Sequence, residues 1–365
     1  MKLENGVGKV FTLYISGYLR IMAAKALYLV GIFLLIVALR VFVFEFYQVE
    51  SRSMEDTFLE GDVVWLSKLQ YGARLPTRPG DVPFLEALAY VLGFHSWTQT
   101  TNWDYHRVPG VSNIARNDIV IFTDPHNREN NLIKRCVALP GDTFMIKHND
   151  RYVNGIQQVE YSTEKFSFRI KLKGHEIPID TLARYGLDGA DILWRGDNDV
   201  HASMTWCELE GFKNCTQVDS IFINDFPQGY PGGSQLFPAS AHFPFTFENY
   251  GAVIIPAKGE TVKLDTINIA FYKEVIENYE HNQLEIDSGK IRINTLVTDS
   301  YTFKFDYFFL MGDNRYHSFD SRQWGFVPES AIIGKVGLVL FSYNKYEKGF
   351  DKIRTHRMFK SINGI

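Results

Sequence analysis

The chain has 365 residues, of which 45% are hydrophobic and 15% aromatic, and its formal net charge at pH 7 is −4. This apolar content is enough for a folded core, so a largely disordered chain is excluded. The slightly acidic balance excludes a basic nucleic-acid-binding surface over the whole protein, and no nucleic-acid partner is expected. The three cysteines are too few for a small secreted module framed by disulfides.

Residues 21–44 form an apolar segment that predicts a membrane-spanning helix. Its uncharged centre, residues 26–39, is shorter than the ~18 residues that span a bilayer unaided. Lys25 and Arg40 flank this centre, and their long side chains can reach outward to the membrane interfaces. The alternative is a cleaved secretory signal. Bulky residues follow Arg40 where a cleavage site needs small ones, so we expect a retained anchor.

The distribution of basic residues predicts the orientation of this anchor. Basic residues precede the segment at Lys2, Lys9, Arg20 and Lys25, whereas acidic residues surround Arg40 and Arg52 after it. By the positive-inside tendency, residues 1–20 lie in the cytoplasm and the rest of the chain lies outside it.

Beyond the anchor, short apolar runs alternate with turn residues, which favours antiparallel sheet. Examples are residues 63–68, 119–122 and 132–139, and Pro140-Gly141 occupies the centre of a predicted type II turn. Periodicity alone leaves a buried helix open for such runs. Residues 143–302 differ in character, because they carry Gly-rich and Pro-rich loops, two cysteines and one predicted helix near residues 264–279.

A serine pair near the bilayer and a lysine on an apolar run could supply nucleophilic chemistry. Ser51 and Ser53 follow the anchor closely, and Lys134 lies in the run 132–139. A serine hydroxyl needs a base, and none of the ten histidines stands in a recognisable serine-hydrolase pattern. Lysine can act as the base if burial lowers its pKa from ~10.4.

Strand alternation supports this possibility for Lys134. In a strand over residues 132–139, Lys134 shares its face with Leu132, Cys136 and Ala138, while Arg135 points the other way. Without further information, an exposed sheet lysine and a hydroxyl-rich turn are the commoner outcomes for such residues.

Two more blocks near the end make the pattern specific. They are Gly312-Asp313-Asn314-Arg315 and Ser318-Phe319-Asp320-Ser321-Arg322. With the serine and lysine blocks, in this order, they resemble the type I signal peptidase (leader peptidase) family of membrane-bound Ser/Lys serine proteases. The resemblance covers residues 40–142 and 303–339.

The resemblance implies a role for each matching residue. Ser53 would be the nucleophile and Lys134 its general base. Ser51, with the backbone N–H of Ser53, would form the oxyanion hole, and Ser318 would hydrogen-bond and orient the lysine. The supporting scaffold would comprise Arg135, Gly312, Asp313, Arg315, Asp320 and Arg322.

The same resemblance implies what the protein does and where. It implies removal of signal peptides from exported preproteins, with small residues at the first and third positions before the cut. The implied location is the bacterial inner membrane, as a single-pass protein with its catalytic domain on the periplasmic side and lipid as a partner. No cofactor or metal is implied, and the cysteines and histidines lack zinc-ligand spacing.

Four positions depart from the family pattern. Arg52 stands where a small residue is frequent, and Asp56 stands where proline is usual before the threonine. Tyr316 and His317 replace a small polar pair, and His317 is expected to be a surface loop histidine rather than a base. These departures leave the reacting groups intact but put the shape of the cleft in question.

The predicted fold is mainly β: an antiparallel catalytic domain over residues 45–142 and 303–345, with an inserted α+β cap domain over 143–302. A basic tail, 346–365, either touches anionic lipid or is solvated. Two other functions stay open: a membrane-tethered binding domain without turnover, and a self-cleaving Ser/Lys repressor-type protease.

The cysteines give a further expectation. Cys207 and Cys215 lie close together in a loop-rich segment that can turn at Gly211, outside the cytoplasm in the expected topology. We predict a disulfide between them and a free, buried thiol at Cys136. The alternative is three unpaired thiols.

Overall fold

The computed structural model describes residues 4–174, 176–223 and 236–362. In the described residues the chain is mainly β, which confirms the predicted fold class. The helices are α1 (Glu4–Phe42), α2 (Leu85–Leu92), α3 (His95–Thr100), α4 (Ile179–Ala183), α5 (Trp206–Phe212), α6 (Ile269–Glu274) and α7 (Ser321–Trp324).

Strands account for most of the remaining regular structure. They are β1 (Phe44–Gln48), β2 (Asp62–Ser67), β3 (Ile119–Thr123), β4 (Asn131–Ala138), β5 (Thr143–Lys147), β6 (Asp150–Val153), β7 (Ile156–Gln157), β8 (Phe166–Leu172), β9 (Ile192–Arg195), β10 (Asp199–Met204), β11 (Val218–Ile223), β12 (Tyr250–Ile254), β13 (Thr261–Lys263), β14 (Leu284–Asp287), β15 (Lys290–Ile293), β16 (Leu296–Val297), β17 (Ser300–Thr302), β18 (Tyr307–Met311), β19 (Val327–Pro328), β20 (Ile332–Ser342) and β21 (Lys360–Ser361).

The largest sheet runs in the order β1-β2-β20-β3-β4-β18-β19, with β21 added on β20. Every pairing in it is antiparallel. The three apolar runs predicted from the sequence become β2, β3 and β4, so the buried-helix alternative does not hold for them. The predicted turn at Pro140-Gly141 is present, because the Asp142 N–H donates to the Leu139 carbonyl at 3.0 Å.

Helix α1 contains the predicted membrane segment. Its stretch Tyr18–Phe42 has 25 residues and a mean hydropathy of 2.4, which is long and apolar enough to cross a membrane. The helix ends at Phe42, and β1 begins at Phe44, so the last predicted anchor residue already belongs to the sheet.

The predicted insertion, residues 143–302, contains two kinds of structure. The sheet β12-β5-β6-β7 packs into one core with β18, through side chains such as Phe144, Tyr250 and Phe309. The sheet β11-β8-β10-β9 encloses a separate core that includes Ile170 and Phe212. The predicted helix near residues 264–279 begins later than expected: α6 starts at Ile269 and ends at Glu274, and a π-helical turn continues it to Tyr279.

The residues predicted as a basic tail return to the main sheet. Strand β21 pairs with β20, and Ile362 is buried in the core beneath that sheet. Arg357 is buried and forms an ion pair of 2.6 Å with Asp62, while it also donates to the Thr57 carbonyl. A buried carboxylate needs a partner, which explains why this basic residue is neither solvated nor on lipid.

The predicted disulfide is wrong, because Cys136, Cys207 and Cys215 are all free. Thr205 caps helix α5, which begins at Trp206 and carries Cys207 on its exposed side. Cys215 is buried in the separate core of β8–β11. Cys207 therefore lies on the solvent side and Cys215 in the core. This arrangement follows from the helix that Thr205 caps, which the spacing of the cysteines in the sequence did not reveal.

We expect the folded protein to expose one reactive thiol. A thiol reagent should modify Cys207 rapidly in the native protein, because Cys136 and Cys215 are buried. All three thiols should react after denaturation without reductant. Detection of a single thiol under those denaturing conditions would contradict the structure.

A buried ion pair ties β4 to the end of β18. Arg135 donates from Nε and Nη2 to the two carboxylate oxygens of Asp313 at 2.8 and 2.7 Å. Thr57 Oγ1 donates to the same carboxylate at 2.6 Å. These contacts hold the pKa of Asp313 below its usual value despite burial, which acts in the opposite direction and is the largest single influence.

Asp313→Asn should lower the free energy of unfolding by about 3 kcal/mol, because it leaves the buried Arg135 guanidinium without a counter-charge. Asp287→Asn is the control, because its pair with Arg292 is exposed and should contribute less than about 1 kcal/mol. Denaturant unfolding of both variants in detergent measures the difference. Equal losses would show that the Asp313 pair is not important for stability.

Candidate active site

The Ser53 turn connects the end of β1 to the loop before β2. Residues Arg52–Met54 form a 3-10 turn in which Ser53 is 5% exposed and Met54 is fully buried. The Met54 side chain packs in the core beneath the sheet, and its carbonyl accepts from the Phe58 N–H at 2.7 Å. Burial of the methionine thus fixes the turn that presents the preceding serine.

Lys134 lies on β4, whose side chains alternate between the two faces of the sheet as predicted from the sequence. Leu132 and Cys136 pack on one face of the strand, and Ile133 packs in the cluster on the other. Arg135 points away from Lys134 toward Asp313. The lysine therefore has apolar neighbours on its own face and no adjacent guanidinium there.

The structure brings Lys134 and Ser53 together in a buried contact. Lys134 Nζ lies 2.6 Å from Ser53 Oγ, and the lysine is 3% exposed. Burial lowers the pKa of Lys134 to about 8, against the opposing influence of Asp320 and Asp313. A neutral amine is then accessible near physiological pH, and it can accept the hydroxyl proton from the serine.

Ser51 lies beside this pair at the edge of the cleft. It is exposed, and its Oγ is 3.2 Å from Ser53 Oγ. Ser53 is in the first turn of a short helix, where backbone N–H groups are free of helical partners. A hydroxyl and an N–H at this place can both donate to an anionic oxygen on the substrate.

Gly312 allows the strand end to approach the serine turn closely. A Cβ on Gly312 would lie 2.2 Å from Ser318 Oγ and 2.5 Å from the Ser53 carbonyl oxygen, so a larger residue cannot occupy this position. Asn314, two residues after Gly312, adds a hydrogen bond to this contact: its N–H donates to the Ser53 carbonyl at 3.1 Å.

Ser318 is buried near the pair, but the expected contact with the lysine is not formed. Its hydroxyl lies close to Gly312 and to the Asp320 carboxylate. No hydrogen bond of standard geometry joins Ser318 Oγ to Lys134 or to any other residue that the structure describes. The orientation of a hydroxyl depends on these close neighbours, which the sequence does not specify.

The other predicted scaffold residues are buried and paired. Asp320 caps α7, accepts from the Gly312 N–H at 3.0 Å and pairs with Arg322 at 2.8 Å. Arg322 also donates to the Arg315 carbonyl at 2.6 Å. Arg315 pairs with Glu164 at 2.8 Å. Together they fix the chain that follows Gly312.

Two departures from the family pattern make contacts that sequence analysis missed. Arg52 pairs with Asp188 at 2.8 Å, and Asp56 lies 3.7 Å from Lys165. Asp56 has a φ of 67°, which a proline ring cannot adopt. The charges of these two residues, with that of Glu55 between them, were a sequence signal that the turn has ionic partners.

His317 is not placed as a base in this arrangement. Burial lowers the pKa of His317, and its Nε2 has no hydrogen-bond partner among the residues that the structure describes. The hydroxyl of Ser53 is engaged by Lys134 instead. Within the same residues, no group of three or more His, Cys, Asp and Glu side chains is arranged to hold a metal ion.

Comparisons with known proteins identify the family of this chain. The profile of the family described as "Signal peptidase, peptidase S26" matches residues 22–181 and 254–341, which is more than half of the chain and includes Ser53, Lys134 and Ser318. The signal peptidase I of Buchnera aphidicola (subspecies Baizongia pistaciae) is 22% identical over 87% of this chain and 76% of its own length. That of Helicobacter pylori is 22% identical over 92% and 91%, respectively.

A crystal structure of a signal peptidase I from Enterococcus faecalis V583 is also similar, at 16% identity. The match covers 61% of this chain and 96% of that one, and its TM-score of 0.23 is too low to support conclusions about the site. The assignment therefore depends on the profile match and on the two relatives aligned over most of their length. The chain belongs to the signal peptidase, peptidase S26 family of serine endopeptidases.

Proposed function

We propose that the protein is a membrane-anchored endopeptidase that removes signal peptides from exported preproteins with Ser53 as nucleophile and Lys134 as general base. The observation that carries the proposal is the 2.6 Å separation of Lys134 Nζ and Ser53 Oγ in a buried site. The buried position also lowers the pKa of the lysine, as a base at neutral pH requires.

In the proposed reaction, neutral Lys134 takes the hydroxyl proton as Ser53 Oγ attacks the scissile carbonyl carbon. The carbonyl oxygen becomes an oxyanion, toward which the Ser51 hydroxyl and the Ser53 N–H donate. When the intermediate collapses, the lysine gives its proton to the departing amine, leaving an ester on Ser53. Lys134, now neutral again, takes a proton from a water molecule that attacks the ester carbonyl carbon, and returns that proton to Ser53 Oγ as the ester breaks.

Ser318 is proposed to orient the lysine during this cycle. Its hydroxyl has no standard hydrogen bond to break within the described part of the chain. Its side chain is buried beside Gly312, which also lies against the Ser53 carbonyl. Shallow pockets beside the serine would restrict the first and third residues before the cut to small side chains.

The proposed location is the bacterial inner membrane, with the N-terminus in the cytoplasm and the sheets on the periplasmic side. Besides α1, the hairpin of α2 and α3 supports contact with lipid. Three of its apolar residues, Tyr90, Val91 and Trp97, have between 44% and 79% of their surface exposed. At the start of the hairpin, the ring centroid of Phe84 lies 5.5 Å from that of Phe33 in α1. The apolar surface of the hairpin is therefore continuous with that of the anchor helix.

The two alternative functions are less well supported. A binding domain without turnover has no need for a lysine that is buried against a serine, because burial of an unpaired ammonium costs stability. A self-cleaving repressor-type protease has no need for the apolar helix within α1. Assay of the purified protein on a preprotein separates all three.

Ser53→Ala should abolish cleavage of a preprotein, because only the attacking oxygen is removed. The variant should remain folded and membrane-bound, since Met54 still holds the turn. Cleavage is measured by the conversion of precursor to mature protein on a gel. Activity within about tenfold of the unmodified enzyme would rule out this nucleophile, because loss of a nucleophile costs far more.

Lys134→Arg should be nearly as damaging, because a guanidinium stays protonated and cannot serve as a base. In the unmodified protein, the neutral amine is the active form, so kcat should rise with pH through about 8. The initial rate from pH 6 to 10 measures this, with stability checked at each pH. A flat profile, or an active Arg variant, would contradict the role of Lys134.

A further inference from the structure

Seven charged side chains join the Ser53 turn to the sheet β8–β11. Three of them lie on or just after the turn, and four belong to the segment 165–208; two are basic and five are acidic. We call them the Lys165 cluster, which comprises Arg52, Glu55, Asp56, Lys165, Asp188, Asp191 and Glu208.

Lys165 is the centre of the cluster. Its side chain is 2% exposed, and its Nζ lies 2.8 Å from Asp191, 3.4 Å from Glu55 and 3.7 Å from Asp56. Burial alone would lower the pKa of Lys165, but Asp56 and Asp191 outweigh burial and raise it. This lysine therefore stays charged where Lys134 can become neutral, and its role is electrostatic.

The backbone of Lys165 is also linked to the turn. The Lys165 N–H donates to the Asp313 carbonyl at 3.0 Å, and its carbonyl accepts from the Arg315 N–H at 3.1 Å. Between these two residues, the Asn314 N–H donates to the Ser53 carbonyl. The segment 313–315 is thus held by Lys165 on one side and holds Ser53 on the other.

Arg52 provides a second connection, directly between Ser51 and Ser53 in sequence. Its guanidinium lies 2.8 Å from Asp188, 3.2 Å from Asp191 and 2.6 Å from Glu55. Asp191 therefore contacts both basic residues of the cluster. The position of the turn depends on two cations that share one carboxylate of the neighbouring sheet.

The sheet that carries these carboxylates has its own support. Its core is separate from the other clusters, with Phe168 and Phe212 fully or almost fully buried. Ser203 on β10 donates to Asn314 Oδ1 at 2.9 Å, and Asn314 Nδ2 donates to Glu55 at 3.2 Å. A separately packed sheet can hold charges in fixed places against the turn.

We propose that Lys165 is a positioning residue for the nucleophile: with Asp191 and Arg52 it clamps the Ser53 turn against the sheet β8–β11. The inference rests on the proposed function of Ser53. Lys165 and Arg52 lie within the family match, but two of the carboxylates that they contact do not. Asp188 and Asp191 lie between the matched ranges 22–181 and 254–341. Part of the chain without a counterpart in the family profile thus acts on the catalytic serine.

Loss of Lys165 would act on the turn through charge. Asp191 and Glu55 would then share only Arg52, and Asp56 would lose its contact with Lys165. The like charges of these acids, less well compensated, repel. Glu55 and Asp56 directly follow the turn, so their separation from Asp191 moves Ser53 relative to Lys134. A displacement of about 1 Å at a reacting atom can cost roughly 100-fold in rate.

The test compares Lys165→Met with Arg169→Met in the full-length protein in detergent, with a preprotein as substrate. Arg169 is the control for loss of a cation from the same part of the sheet, because it lies on β8 and forms a more exposed pair with Asp199 away from the turn. We expect Lys165→Met to lower kcat by about 30- to 100-fold with KM changed less than about threefold. The control should keep kcat within about twofold.

Two readouts separate positioning from a general loss of structure. The rise of kcat with pH should keep its midpoint in Lys165→Met, because the charges that influence Lys134 are Asp320, Asp313 and Arg322. The variant Asp191→Asn should lower kcat similarly, and combining it with Lys165→Met should cost no more than either change alone.

The proposal is overturned if folded Lys165→Met retains kcat within about threefold, or if the pH midpoint shifts while kcat at high pH does not fall. If Lys165→Met does not fold, Arg52→Gln replaces it, because that side chain is 24% exposed and its loss should lower kcat about tenfold. Unchanged kcat there also overturns the proposal. Activity in Ser53→Ala would instead remove the proposed function itself.

Discussion

The burial of Lys134 is the constraint on which the proposed chemistry depends. Transfer of an ammonium out of water costs several kcal/mol, so the sheet must favour the neutral amine without leaving a free carboxylate to reverse that effect. Two carboxylates lie near Lys134, and each has an arginine of its own: Asp313 pairs with Arg135, and Asp320 pairs with Arg322. Burial therefore lowers the pKa of the lysine to about 8, although the two acids oppose this change.

Much of the main sheet could be predicted from the sequence, because its signals are local. The turn residues before β2 and β3, and the alternation on β4, depend on neighbours within a few positions. The partners of Lys165 and Arg357 could not be predicted, since ion pairs between distant residues follow from tertiary packing. The disulfide prediction failed for a local reason that was missed, the cap at Thr205 that places Cys207 in a helix.

The two parts of the predicted insertion support the site in different ways. The sheet that contains β5 and β12 shares an apolar core with β18, so it contributes stability through burial. The sheet β8–β11 meets the Ser53 turn through ions and backbone hydrogen bonds. These pairs range from buried, at Lys165 and Asp191, to partly exposed, at Arg52 and Asp188. Their geometry is directional, and directional contacts suit a part of the protein that must hold one atom in place.

The contact between Arg357 and the Thr57 carbonyl joins residues 300 positions apart in the chain. Thr57 in turn donates to Asp313, so the loop after the serine is complete only when residues from three distant regions have met. During synthesis, Ser53 and Lys134 leave the ribosome long before Arg357 does. The loop after Ser53 therefore reaches the arrangement described here only after nearly the whole chain has been made.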